Sequence, residues 1–250
     1  MDDVALTPQR ERTVTIVSLV LTLVVLGGYV TFSDGPIGTA VRGVLGVDGR
    51  ERPAVEADGT GEYAFLNEQP GSDEPVGFSP CRPIEYVVNP DHAPEGWQDY
   101  VETAIEEVGD RTGLRFDYQG TTDDRDFADR VGPGSRARPA LIGWADEDEV
   151  GDLADDVAGV GGPTMVTIGR LRAYVTGSVV LDSDTTDRLA RSPGGEQMQV
   201  ALLMHELGHL VGLDHVDDPD ELMYPRGISR AGFGPGDREG LARLGAIDCR

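Results

Sequence analysis

The feature that most constrains this chain is a short segment that holds three of its four histidines. It is His205-Glu206-Leu207-Gly208-His209-Leu210-Val211-Gly212-Leu213-Asp214-His215. His205 and His209 are four residues apart, which on a helix is a rotation of about 400°, so their imidazoles lie one turn apart on the same side and can share a metal ion. Glycine tolerates positive φ, so the helix can end at Gly212, and the turn can bring His215 back as a third ligand.

This ligand set predicts a catalytic site rather than a structural one. Three neutral imidazole nitrogens leave the fourth tetrahedral position of a zinc ion open for water. Glu206 follows His205 directly and can reach that water without being a ligand itself. The alternative is a helix whose histidines merely face solvent, and it would require metal-binding spacing to arise by chance. We therefore expect one catalytic Zn²⁺ on His205, His209 and His215, with Glu206 as the general base.

The same segment resembles the signature of the metzincin zinc peptidases, H-E-x-x-H-x-x-G-x-x-H followed by a Met-turn. The run Glu221-Leu222-Met223-Tyr224-Pro225 further resembles the Met-turn of the matrixin branch, and the region of Cys81 resembles the entry strand of prokaryotic matrixin-like domains. The resemblance implies that Met223 forms a hydrophobic floor beneath the zinc ligands. It also implies an endopeptidase that hydrolyses internal peptide bonds of proteins or peptides with a zinc-activated water.

The hydrophobic periodicity predicts strands and helices that interleave along the domain, which is typical of a layered α/β architecture. Predicted strands cover residues 63–66, 84–88, 114–118, 140–144 and 172–181, and predicted helices cover 97–108 and 197–211, with a short last helix capped by Asp237. The resemblance implies a more specific α+β fold. It has a twisted, mostly parallel sheet with an antiparallel edge strand, a long zinc-binding helix, and a small C-terminal subdomain with the Met-turn and final helix.

The segment before the zinc helix resembles the family's substrate-binding edge strand. It covers residues 157–163, and its candidate substrate contacts are Val157, Gly159, Val160 and Gly161. The glycines would let a peptide approach the strand closely.

The chain has two cysteines, Cys81 and Cys249. In an exported domain they are favoured to form a disulfide, which would close a long loop. The alternative is that Cys81 maintains latency by blocking the zinc site.

Several acidic clusters suggest structural calcium, which matrixins commonly bind and which prefers oxygen ligands. The clusters are Asp146-Glu147-Asp148-Glu149, Asp152, Asp155-Asp156 and Asp182-Ser183-Asp184. Solvated acidic loops are the alternative interpretation.

The N-terminal part predicts a membrane anchor. An uncharged run of 21 residues separates Arg12 from Asp34, and a helix of roughly 20 residues spans a bilayer core of about 30 Å. We expect a cytoplasmic segment at 1–13, a transmembrane helix at 14–32, a Gly/Pro-rich stalk at 33–59 and a matrixin-like domain at 60–250. Arg10 and Arg12 place the N-terminus in the cytoplasm and the catalytic domain outside the cell. A cleaved signal peptide, and hence a secreted enzyme, is the alternative.

The net charge of −24 argues against nucleic-acid binding, because phosphate contacts need clustered cations. An exported protein with so large an acidic excess is suited to a salt-rich medium outside the cell. We expect a monomer whose partners are protein or peptide substrates and, through the N-terminal helix, the lipid bilayer. Two other functions stay open at this point, a zinc hydrolase of a non-peptide or cell-envelope amide and a catalytically silent zinc-containing binding domain.

Overall fold

The computed structural model describes residues 49–57, 59–132, 136–155, 157–226 and 230–249. The predicted segments at 1–13 and 14–32, and the stalk as far as residue 48, lie outside the described residues. Within the described part of the chain, no helix has the length and apolar character needed to cross a membrane. One compact unit runs from Glu51 to Arg250.

The unit contains seven strands and four α-helices among its described residues. The strands are β1 (Ala64–Phe65), β2 (Ile84–Val88), β3 (Phe116–Thr121), β4 (Ala140–Ala145), β5 (Gly159–Ile168), β6 (Leu171–Asp182) and β7 (Leu213–Asp214). The helices are α1 (Trp97–Thr112), α2 (Ser183–Ala190), α3 (Gly195–Val211) and α4 (Pro235–Gly245), with a 3₁₀ turn at Gly151–Leu153.

Five strands form one sheet in the order β3-β2-β4-β6-β5. The pairs β2–β3, β2–β4 and β4–β6 are parallel, whereas β5 pairs antiparallel with β6 at the edge. Every residue of the central strand β4 is buried, as expected of a strand covered on both faces. The predicted mostly parallel sheet with an antiparallel edge strand is confirmed.

The main core lies between this sheet and helices α1, α3 and α4. It contains Val108 of α1, Trp144 of β4, Leu207 of α3 and Leu241 of α4, none of which exposes any surface. A smaller apolar cluster, which includes Phe127, Leu141, Leu153 and Val180, lies apart from it. From Ala201 onward every residue of α3 is buried, so the predicted zinc helix runs through the middle of the domain.

One local prediction is wrong. Asp182 and Asp184 do not lie in a loop, because Asp182 caps helix α2 by accepting a hydrogen bond from the Thr185 N–H (2.7 Å). The N-cap residue of the last helix is Gly234, and Asp237 lies in the first turn, from where its side chain accepts a hydrogen bond from the Gly234 N–H (2.9 Å). The error at Asp182 arose because an acidic residue beside a helix start can serve several donors, and sequence spacing does not tell which one it reaches.

The two cysteines are joined in a disulfide, with Cα atoms 5.5 Å apart. Cys81 precedes β2, and Cys249 follows α4. The bond therefore ties the last described residues to the start of the central sheet, across 168 positions of sequence.

Candidate metal centre

Helix α3 and the turn after it bring the three histidines together. Gly212 ends the helix with φ 124°, and its N–H donates to the carbonyls of Gly208 (3.1 Å) and His209 (3.0 Å). A Cβ at Gly212 would lie 3.0 Å from both Tyr174 and Leu244, so conformation and space each favour glycine there. The short strand β7 then carries the chain back to His215.

The three Nε2 atoms converge on one point. His215 Nε2 lies 3.2 Å from His205 Nε2 and 3.0 Å from His209 Nε2. Two nitrogens bound at about 2.0–2.1 Å to a tetrahedral zinc ion are about 3.4 Å apart. His205 and His209 are buried and His215 is exposed, so the centre opens to solvent on one side.

Backbone carbonyls fix which ring nitrogen of the two helical histidines is free. His205 Nδ1–H donates to Leu222 O (2.7 Å), and His209 Nδ1–H donates to Leu213 O (2.8 Å). A carbonyl only accepts, so both protons sit on Nδ1 and both Nε2 atoms present lone pairs. Lone pairs facing one another at this distance repel unless a cation lies among them, and a zinc ion matches the donor set.

Burial also keeps these imidazoles neutral. It lowers the pKa of His205 to about 4 and that of His209 to about 4, and it lowers the pKa of His215 as well. Each neighbouring histidine adds to the effect on His205, because two imidazolium charges would repel. The unprotonated form that a metal requires is therefore the resting form at neutral pH.

Met223 lies directly beneath the zinc helix. It is 1% exposed, and a Cβ on Gly208 would lie 2.8 Å from its sulfur. Gly208 lies between the two helical ligands, so the missing side chain is what lets the thioether approach the helix at this point. The structure thus places Met223 where the Met-turn resemblance implies.

Two buried carboxylates hold the Met223 turn against helix α4. Asp237 accepts hydrogen bonds from the N–H groups of Leu222, Met223 and Gly234. Glu221 accepts from the N–H groups of Gly236 (2.8 Å) and Asp237 (2.9 Å). Since Leu222 also supplies the carbonyl that orients His205, this clasp supports a zinc ligand indirectly.

Glu206 follows His205 in helix α3 and is buried, with one carboxylate oxygen that has no hydrogen-bond partner among the described residues. The side chain is 3% exposed, and the oxygen without a partner is Oε2. Burial raises the pKa of its carboxyl group to about 8. A buried, unpartnered carboxylate next to a cation site is available for an external proton donor.

The edge strand crosses helix α3 at Glu206. Gly159, Val160 and Gly161 lie in β5, and Val157 lies just before it. A Cβ on Gly159 would lie 2.9 Å from Glu206 Oε1, and one on Gly161 would lie 2.2 Å from the Glu206 carbonyl oxygen. These two glycines therefore make room for the helix, and the approach of a peptide to the same strand stays a prediction.

The structure gives no support to the calcium expectation. Within the described residues, the one group of His, Cys, Asp and Glu side chains close enough to share a metal is the three histidines. Among the candidate acidic residues, Glu149 instead pairs with Arg125, and the Asp146 side chain accepts from the Glu149 N–H. Asp156 lies outside the described residues.

The comparison with protein families agrees with this geometry. Residues 142–237 match the family described as Matrixin. Over these residues the chain is therefore similar to a family of zinc metallopeptidases. The match runs from β4 into α4 and so includes the edge strand, the three histidines and Met223.

Among solved structures, archaemetzincin from Methanopyrus kandleri is similar to this chain at 17% sequence identity. The alignment covers 64% of this chain and 93% of that chain, with a TM-score of 0.42. A similarity of this extent adds no argument about function. No curated protein sequence matches the chain.

The groups that support the three histidines carry little signal in the sequence. The sequence predicts Asp237 only as a helix cap, and Glu221 only as the first residue of the run that resembles the Met-turn. The carbonyls of Leu213 and Leu222 carry no sequence signal, because every residue has one. The one detectable signal was the presence of Glu221 and Asp237 close to Met223 and to the start of the last helix. Acidic side chains are tolerated in buried positions only when they are hydrogen-bonded.

Proposed function

We propose that the matrixin-like domain is an endopeptidase in which Glu206 acts as the general base and then the general acid. The observation that carries the proposal is the combination of a three-histidine centre open to solvent with a buried, unpartnered carboxylate on Glu206, the residue that follows the first of these histidines in helix α3. When bound, zinc supplies Lewis-acid polarisation of the scissile carbonyl and makes water nucleophilic near neutral pH.

The chain's own groups do the rest. His205, His209 and His215 hold the cation through Nε2, and the two backbone carbonyls keep the first two rings in the correct tautomer. Glu206 takes the proton of the attacking water at Oε2, the oxygen with no other partner, and delivers it to the departing amine. A pKa raised by burial moves towards the working pH, and a nearby cation brings it back down, so both protonation states are accessible.

The edge strand β5 supports a peptide rather than another amide as the substrate. It is the outermost strand of the sheet and runs directly over Glu206. An extended peptide can pair with such an edge through its own backbone, which places a scissile bond beside the catalytic carboxylate. A small non-peptide amide would leave these edge groups unused.

A cleavage assay on two substrates tests the proposal. The protein should cleave unfolded casein at internal bonds, and Glu206→Ala should bind zinc but lose nearly all cleavage. Release of amide-linked fragments from purified cell envelope, with casein left intact, would favour the other hydrolase class. Zinc binding without cleavage of either substrate would favour a silent binding domain.

We further propose that the domain is displayed outside the cell on a single N-terminal membrane helix. The support is the uncharged run between Arg12 and Asp34, the arginines preceding it, and the acidic net charge of −24. Added protease should remove the catalytic domain from intact cells, while alkaline washing should leave the protein in the membrane. Recovery of the full-length protein in the soluble fraction would contradict the anchor.

A further inference from the structure

A short N-terminal segment, which we call the strap (residues 59–69), contacts the two groups of residues that support the histidines. One group is the pair of carboxylates that holds the Met223 turn, and the other is strand β7. The strap begins against helix α4, where a Cβ on Gly59 would lie 1.7 Å from the carbonyl oxygen of Pro235. A Cβ on Gly61 would lie 2.1 Å from Glu221 Oε1 and 2.4 Å from the Gly236 nitrogen. The strap backbone therefore lies directly against the carboxylate that binds Gly236 and Asp237.

The next residues of the strap pair with the turn that carries the third ligand. Strand β1 is antiparallel to β7, with Ala64 opposite Asp214 and Phe65 opposite Leu213. The Leu66 N–H then donates to the carbonyl of Gly212 (2.9 Å). This places a strand ladder on the residues between His209 and His215, including Leu213, whose carbonyl orients His209.

The end of the strap holds the hairpin of the edge strand. The Gln69 amide binds the backbone of Arg172 in both directions, donating to its carbonyl (2.8 Å) and accepting from its N–H (2.9 Å). Asn67 donates to the Tyr174 hydroxyl (3.1 Å). Arg172 and Tyr174 belong to β6, whose partner is the edge strand β5.

We propose that the strap is a positioning element of the zinc centre, required for tight zinc binding and for catalysis. It packs against the clasp that supports Leu222 O, pairs with the strand that supplies Leu213 O, and braces the hairpin of β5. The inference rests on the proposed function.

Gly61→Ala in the full chain is the first test, because a methyl group there meets Glu221 and Gly236 directly. We expect the zinc Kd, measured by chelator competition, to rise 10- to 100-fold, as for other supports of metal ligands. We also expect kcat to fall with little change in KM. Gly151→Ala is the matched control, because a methyl group there meets nothing within 4 Å.

A second control separates positioning from general stability. Leu153 is 3% exposed and packs in the smaller cluster with Phe127 and Val180, so Leu153→Ala lowers the melting temperature without touching the strap. At a temperature where all variants are folded by circular dichroism, Leu153→Ala should bind zinc like the wild type. Equal zinc Kd values for Gly61→Ala and Leu153→Ala would overturn the proposal.

Hydrogen exchange on the wild-type protein tests whether the strap positions the zinc centre, even if the Gly61 variant does not fold. In the metal-free protein, peptides covering 61–66 and 212–216 should exchange at one common rate, and added zinc should slow both to the same extent. Protection by zinc that is confined to 212–216 would contradict a positioning strap. If zinc does not bind the wild type at all, the proposed function fails, while the common exchange rate still tests the strap.

Discussion

Replacing Glu206 with glutamine should stabilise the metal-free protein, and only at neutral and alkaline pH. The carboxyl group has a pKa of about 8 in the fold, against 4.5 when exposed, because burial disfavours its charged form. Its contribution to stability is therefore fully present below pH 4.5 and is lost as the pH rises towards 8. Glutamine has nearly the same shape and carries no charge at any pH.

The size of the effect follows from the difference between the two pKa values. Each pH unit between them corresponds to about 1.4 kcal/mol, so the advantage of glutamine should be below about 1 kcal/mol at pH 5 and roughly 4 kcal/mol at pH 8. Side-chain exposure of 3% means that solvent screening does little to reduce this. His205 and His209 titrate in both proteins, so their contributions cancel in the difference.

Urea unfolding of both proteins in excess chelator, at pH 5, 6, 7 and 8, measures this difference. If the glutamine amide has an effect that does not depend on pH, it shifts the difference in unfolding free energy equally at all four pH values. The change of that difference with pH then still reports the ionisation of Glu206. A difference in unfolding free energy that does not change with pH would refute the reasoning, because it would mean that Glu206 is already ionised in the metal-free fold.

Three further outcomes test the site and its supports. Gly159→Ala should displace the Glu206 carboxylate and reduce kcat at least 10-fold with zinc content unchanged. Gly162→Ala is its control, because the added methyl group meets nothing within 4 Å, and its kcat should stay close to that of the wild type. His215→Ala should raise the zinc Kd more than 100-fold in chelator competition, because two nitrogens remain of three; an unchanged Kd would remove this histidine from the ligand set. Reduction of the Cys81–Cys249 disulfide should lower the free energy of unfolding by about 2–4 kcal/mol in urea, and an unchanged midpoint would show that it does not stabilise the fold.

The convergence of the three histidines was predictable because the spacing of residues along a helix determines which side chains point the same way. His205 and His209 needed only the helix period, and His215 needed only a glycine that ends the helix. The mostly parallel sheet with its antiparallel edge came from the family resemblance, and the strand order of the structure confirms it. Spacing and resemblance sufficed wherever the interaction was local or repeated within a family.

The supports of the site were not predictable in the same way. Strands β1 and β7 pair although their residues are about 150 positions apart in the sequence. The hydrophobic pattern of a strand does not tell which distant strand it pairs with. The glycines of β5 were correctly noticed, but a missing side chain does not state which neighbour occupies the space, and it proved to be Glu206. The sequence predicts Asp182 as a calcium ligand, whereas in the structure it caps helix α2, since an acidic side chain accepts from whatever N–H the fold presents.

Zinc titration of the metal-free protein tests the central claim most directly. One equivalent of Zn²⁺ should bind to the wild type and to Glu206→Gln, and it should restore cleavage of an internal bond in a peptide library only in the wild type. Cleavage by the glutamine variant at the wild-type rate would contradict the role of Glu206. Absence of zinc binding by the wild type would contradict the three-histidine centre itself.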